Sequence, residues 1–175
     1  MVLLLVVLAL LVVLYMAFKK IKRINSRLEA QRDEIECQKN LILVKNEQIT
    51  DSINYARKIQ DSILVPEAKI RRWIPNMFVY YKPKDIVSGD FYWFSRYESK
   101  YVITAIDCTG HGVPGAFLSM IGNTLLHEIV NIKHVFKPDQ ILAMLHTGIT
   151  LALNQDSEDS GSEDGMDMSL CTVDA

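Results

Sequence analysis

The sequence predicts an α+β globular part preceded by a transmembrane helix and a long coiled-coil helix. Three observations predict it. Residues 1–18 (MVLLLVVLALLVVLYMAF) carry no charge, an apolar heptad position recurs from Ile21 to Ile63, and after Pro66 strand-like aromatic runs give way to helical spacing. The 175 residues thus divide into 1–18, 19–63 and 64–175.

As a helix, the first 18 residues would span about 27 Å, close to the hydrocarbon core of a bilayer. A signal peptide needs a charged start, a shorter apolar run and a small-residue cleavage site. Here the run opens at Met1 and ends in Tyr15, Met16, Ala17 and Phe18, with Lys19, Lys20, Lys22 and Arg23 directly behind it. The positive-inside rule then puts everything after residue 19 in the cytoplasm, giving a single-pass protein of the inner membrane.

With Ile21 at position a, the a positions are Ile21, Leu28, Ile35, Ile42, Ile49, Ala56 and Ile63, all apolar. The d positions Ile24, Gln31, Gln38, Lys45, Ser52 and Ile59 are mixed. That pattern predicts a marginal parallel coiled coil, and so a homodimer able to change register or pairing. A rigid spacer is the plainer alternative. No Gly or Pro interrupts the stretch, and Pro66 ends it.

In the globular part, Phe78–Lys82, Phe91–Arg96, Tyr101–Ile106 and Met168–Val173 are predicted strands, the middle two forming a hairpin through the polar turn 97–100. Pro114 sits where a first helical turn tolerates it, and Phe117, Met120, Ile121, Leu125 and Ile129 fall near helical spacing, with Leu118 and Leu126 widening the face. A second helix is expected from Pro138 to about Leu153, with Ile141, Leu142, Leu145 and Ile149 inward. Residues 154–165 are expected to be a loop. Lys and Arg number 19 against 21 Asp and Glu, a net charge of −2, which argues against a nucleic-acid partner. Cys37, Cys108 and Cys171 form no CxxC pair, which excludes a thiolate zinc site and leaves reduced thiols.

Two aspartates carry the chemistry. Asp90 opens the first strand of the hairpin and Asp107 follows the second, so both fall at one end of the ladder. Carboxylates there are costly to desolvate unless compensated, and oxygen donors without a His/Cys set point to Mg²⁺ or Mn²⁺. The alternative is that both are turn residues bonded to the backbone. Gly110-His111-Gly112-Val113-Pro114-Gly115 matches the dinucleotide-binding GxGxxG pattern, but Asp107 would set an anion beside a pyrophosphate, and no clean βαβ unit follows. His111 is either a general acid or phosphate donor, or a structural imidazole bonded to a backbone carbonyl.

Four ordered blocks, SINYARKIQDSILVP (52–66), YYKPKDIVSGDFYWF (80–94), AIDCTGHGVPGAFLSMIGNTLLHEIV (105–130) and EDGMDMSLCTVD (163–174), resemble the amino-terminal half of the SpoIIE-like branch of the PPM-type metal-dependent serine/threonine phosphatases. The resemblance implies a partial αββα sandwich and a two-metal site using Mn²⁺ or Mg²⁺. It places Asp90 and Asp107 as metal ligands, with the Cys108 main-chain carbonyl as a further one. It also implies direct attack of a metal-bound water on phosphoserine or phosphothreonine, in a phosphorylated regulatory protein such as an anti-sigma-factor antagonist. The later Ser-Asp-Gly block and the terminal acidic motif of relatives have no counterpart before Ala175. Asp164 and Asp167 match a loop before a strand and are expected to be non-catalytic. The chain is therefore expected to be a fragment, catalytically incomplete as given. The rival expectation is a non-enzymatic dimerising membrane adaptor whose phosphatase-like domain only binds a partner.

Overall fold

The computed structural model describes residues 1–155 and 164–174, apart from the side chain of Ala9. Most of the expected 154–165 loop lies outside the described residues. The elements run α1 (Val2–Ile63), α2 (Glu67–Arg71), β1 (Phe91–Tyr97), β2 (Lys100–Cys108), α3 (Gly112–Leu126) with a π-helical extension (His127–Ile132), α4 (Pro138–Ala152) and β3 (Met166–Asp174). Two compact units divide the chain, Met1–Thr50 and Asp51–Ala175.

The first unit is helix throughout, and every described side chain from Val2 to Thr50 is exposed. Its apolar start is long and apolar enough to cross a membrane, with a mean hydropathy of 2.8 over its best 18-residue window.

The second unit is built on one antiparallel sheet in the order β1-β2-β3. Phe91 pairs with Ile106 and Tyr97 with Lys100, so only Glu98 and Ser99 make the turn, and Glu98 adopts a left-handed φ of 53°. Tyr101 pairs with Val173 and Asp107 with Asp167. Alternation assigns Phe91, Trp93, Val102, Ile106 and Cys108 to one sheet face, where Leu118, Leu126, Ile129, Val130, Ile141, Leu145 and Ile149 cover them. Helices thus cover one face of a single sheet.

Two expectations need correction. Phe78–Lys82 is not a strand. It alternates half-buried Met77, Val79 and Tyr81 with exposed Phe78, Tyr80 and Lys82, so the period-two pattern is real. Among the described residues no strand pairs with it, and composition cannot supply a ladder partner. It instead lines one wall of a 560 Å³ cleft over the other sheet face, with Ile103, Ala105, Ser169 and Cys171. The inward face of α3 is also rotated from the one expected. Gly115, Leu118, Ser119, Gly122 and Leu126 are buried, whereas Phe117 is 64% exposed and Met120 36%. The small residues let the helix sit close to the sheet, and hydrophobic spacing alone missed them because they are not hydrophobic.

Candidate metal centre

Two loops meet at the open end of the hairpin, one leading into β1 and one leaving β2. Gly89 and Gly115 let them meet. A Cβ on Gly89 would stand 2.7 Å from the Gly110 carbonyl oxygen and 3.3 Å from that of Cys108. A Cβ on Gly115 would stand 2.6 Å from the same Gly110 oxygen and 2.9 Å from the Gly89 Cα. Any side chain at either position would push the loops apart. Gly110 and Gly112 flank His111 with φ of 83° and 64°, a left-handed double turn that suits glycine.

These loops bring Asp90 and Asp107 together. One step beyond the Phe91–Ile106 pair the ladder sets them opposite each other, with their carboxyls near enough to interact. Asp90 is pushed above the ordinary carboxylate range, first by burial and then by its interactions with the Asp107 carboxyl. A cation between the two would relieve their mutual repulsion. Tyr81 braces the loop by donating its hydroxyl to the Asp90 carbonyl at 3.2 Å, and it packs edge-on against Tyr92.

Cys108 enters the centre through its backbone only. Its side chain is buried in the core, and the thiol is pushed up to about 12, first by burial and then by Asp107 and Asp90. Its carbonyl oxygen lies on the Gly89 side of the meeting loops. Thr109 holds the end of β2 to the start of β3, donating its N–H to the Gly165 carbonyl at 2.9 Å and accepting the Gly165 N–H on Oγ1 at 3.0 Å.

Among the described residues His111 bonds a carboxylate, not a backbone carbonyl. Its Nδ1 lies 2.6 Å from Asp85 Oδ2, a partner that sequence reasoning missed because 26 residues separate the two. Asp167 also differs from expectation: it lies inside β3, directly across from Asp107 and so on the same sheet face, rather than in a loop. Asp164 precedes that strand.

The oxygen donors and the raised Asp90 suit a hard cation, with water completing its shell. Among the described residues no group of three or more His, Cys, Asp or Glu side chains is gathered to hold one. The fit therefore rests on Asp90, Asp107 and the Cys108 carbonyl.

Sequence reasoning also missed Gln60. Its amide is buried and holds the backbone of Ser88, two residues before Asp90, from both sides. Oε1 accepts the Ser88 N–H at 3.0 Å, while Nε2 donates to the Ser88 carbonyl at 2.6 Å and to Ser119 Oγ at 2.8 Å. The sequence offered no signal for it, since Gln60 sits in a polar helical stretch and its burial appears only in the structure.

In structure, the chain is similar to the SiaA PP2C domain of Pseudomonas aeruginosa, with a TM-score of 0.61 and 30% identity over 74% of this chain. The chain resembles part of a PP2C phosphatase domain. It spans 50% of the SiaA domain's chain. No family model matches the sequence, and no curated protein does. The α+β architecture with a long N-terminal helix agrees with the PPM-type (PP2C) fold, whose metal dependence the paired aspartates suit.

Proposed function

We propose that this chain belongs to a membrane-anchored, metal-dependent serine/threonine phosphoprotein phosphatase of the SpoIIE-like branch. It would be held in the inner membrane by residues 1–18, with the C-terminal domain in the cytoplasm. The observation that carries the reading is the placement of Asp90 and Asp107 opposite each other at the end of the hairpin, beside the Gly110-His111-Gly112 turn, in a PP2C-like fold. Asp90, Asp107 and the Cys108 carbonyl would hold Mn²⁺ or Mg²⁺, which supplies Lewis-acid activation of water and neutralises phosphoryl charge. Gly89 and Gly115 keep the two loops in register. Gln60 and Tyr81 fix the backbone on either side of Asp90, so its carboxylate meets Asp107 without reorganising. His111, on the turn that follows Asp107, would meet a phosphoryl group bound at this centre and, in its doubly protonated form, would give a proton to the leaving oxygen. The exposed a positions Ile21, Leu28, Ile35, Ile42 and Ile49 would pair two copies through a parallel coil, and a phosphorylated regulatory protein would be the substrate.

One observation favours a second reading, a non-enzymatic adaptor with a phosphatase-like binding domain. Among the described residues no third His, Cys, Asp or Glu side chain joins the two aspartates to hold a metal. Calorimetric titration of the chain with Mn²⁺, followed by assay on a phosphoserine peptide, tests both. Metal binding that depends on Asp107 supports the phosphatase centre, and no binding at millimolar Mn²⁺ removes it.

A further inference from the structure

The Asp85–His111 pair joins the same two loops as Asp90 and Asp107. Asp85 lies on the loop that carries Asp90, and His111 on the loop that carries Asp107. Both side chains are substantially exposed, at 41% and 67%, so the pair contributes little to stability. Its geometry is nevertheless closely set. His111 is the residue before α3, with extended φ and ψ of −131° and 172°, yet its side chain makes no capping hydrogen bond to that helix. Instead the ring turns to Asp85, whose Oδ2 lies 3.4 Å from where a Cβ on Gly112 would stand, against the first turn of α3.

A carboxylate 2.6 Å from Nδ1 accepts that nitrogen's proton in a charge-assisted hydrogen bond. It therefore selects the Nδ1–H form of the neutral ring and fixes the plane in which Nε2 lies. We propose that Asp85 is a positioning residue, holding His111 by Nδ1–H so that Nε2 is the nitrogen left to take up a proton and, once it carries one, to donate it to a phosphoryl oxygen at the neighbouring centre. This rests on the phosphatase reading above. Asp85 touches no reacting atom itself.

The test uses the full chain in detergent micelles with ¹⁵N-labelled histidine, the His111 signals being identified by their loss in His111→Gln. In the wild type, the nitrogen shifts of the neutral ring should report Nδ1–H. Asp85→Ala should move His111 to the Nε2–H form, and Asp85→Asn, which keeps an acceptor, should restore Nδ1–H. Inorganic phosphate added with Mg²⁺ should shift Nε2, with half-saturation about tenfold higher in Asp85→Ala, the scale seen when an orienting carboxylate is lost. The thermal midpoint should not move. A His111 tautomer unchanged by Asp85→Ala overturns the assignment. Tautomers as expected with no phosphate response overturn the phosphoryl role and the phosphatase reading, while leaving the pair itself established.

Discussion

Residues 1–50 and 51–174 are both rich in apolar side chains, yet they dispose of them in opposite ways. In the first region Ile21, Leu28, Ile35, Ile42 and Ile49 are 51–65% exposed, on a helix with no layer of its own to cover them. In the second, Val102, Leu126 and Ile141 are wholly buried between a sheet and its helices. The difference teaches where each region's order comes from. The compact unit draws it from its own core, whereas residues 1–50 have no core of their own, and under the proposed reading their order would come from lipid and a second copy and so depend on concentration and surroundings.

Substitutions can break each side of this contrast separately. The largest effect should come from Asp107→Ala, which removes one of two paired carboxylates. Mn²⁺ affinity measured by calorimetry should fall about 100-fold or more, because ligand charge count sets affinity at such sites, while the helical signal of residues 1–50 stays unchanged. Next is Gln60→Leu, which strands the Ser88 N–H and carbonyl in a buried place, while the Ser119 hydroxyl keeps its bond to the Ala116 carbonyl. Urea unfolding of the compact unit should lose about 3 kcal/mol, since each buried unsatisfied group costs about 1–3 kcal/mol. Gly115→Ala drives a methyl into the Gly110 carbonyl and the Gly89 backbone, and should cost about 2 kcal/mol with weakened metal binding. A thermal midpoint equal to wild type would refute the close approach.

Smaller effects sharpen the other side. Ile35→Lys places a charge in the apolar a row and should raise the concentration for the proposed dimerisation about tenfold, read by sedimentation, without touching the core. The smallest effect is a pH dependence. Asp90 holds its proton more tightly folded than unfolded, so its contribution to stability is full below the unfolded pKa and is lost as pH rises through the raised folded value. Metal affinity should strengthen over the same rise, because binding needs the carboxylate. Asp90→Asn should therefore gain stability at neutral pH, lose Mn²⁺ binding, and flatten both pH profiles.

The elements were largely legible from patterning, because hydrophobic periodicity and proline placement are local. The hairpin, α4 with Ile141, Leu145 and Ile149 inward, and the strand expected at 168–173 and found at 166–174 all follow from it. The 77–82 segment misled for the same reason: its alternation is local, but pairing is not. Asp90 and Asp107 could be brought to one end of the ladder from the hairpin alone. Asp85 and Gln60 could not be assigned, since their partners lie 26 and 28 residues away with no shared motif.

By itself the sequence determined an uncharged run, a helix with an apolar stripe, and two aspartates at the ends of adjacent strands, because each depends on spacing within a few residues. Only the tertiary structure decided that a glutamine from the helix holds the Asp90 loop, that a carboxylate turns His111, and that Asp167 faces Asp107. Those contacts exist because glycine-to-glycine approach and sheet register carry distant backbone into hydrogen-bonding range, and no periodicity encodes that.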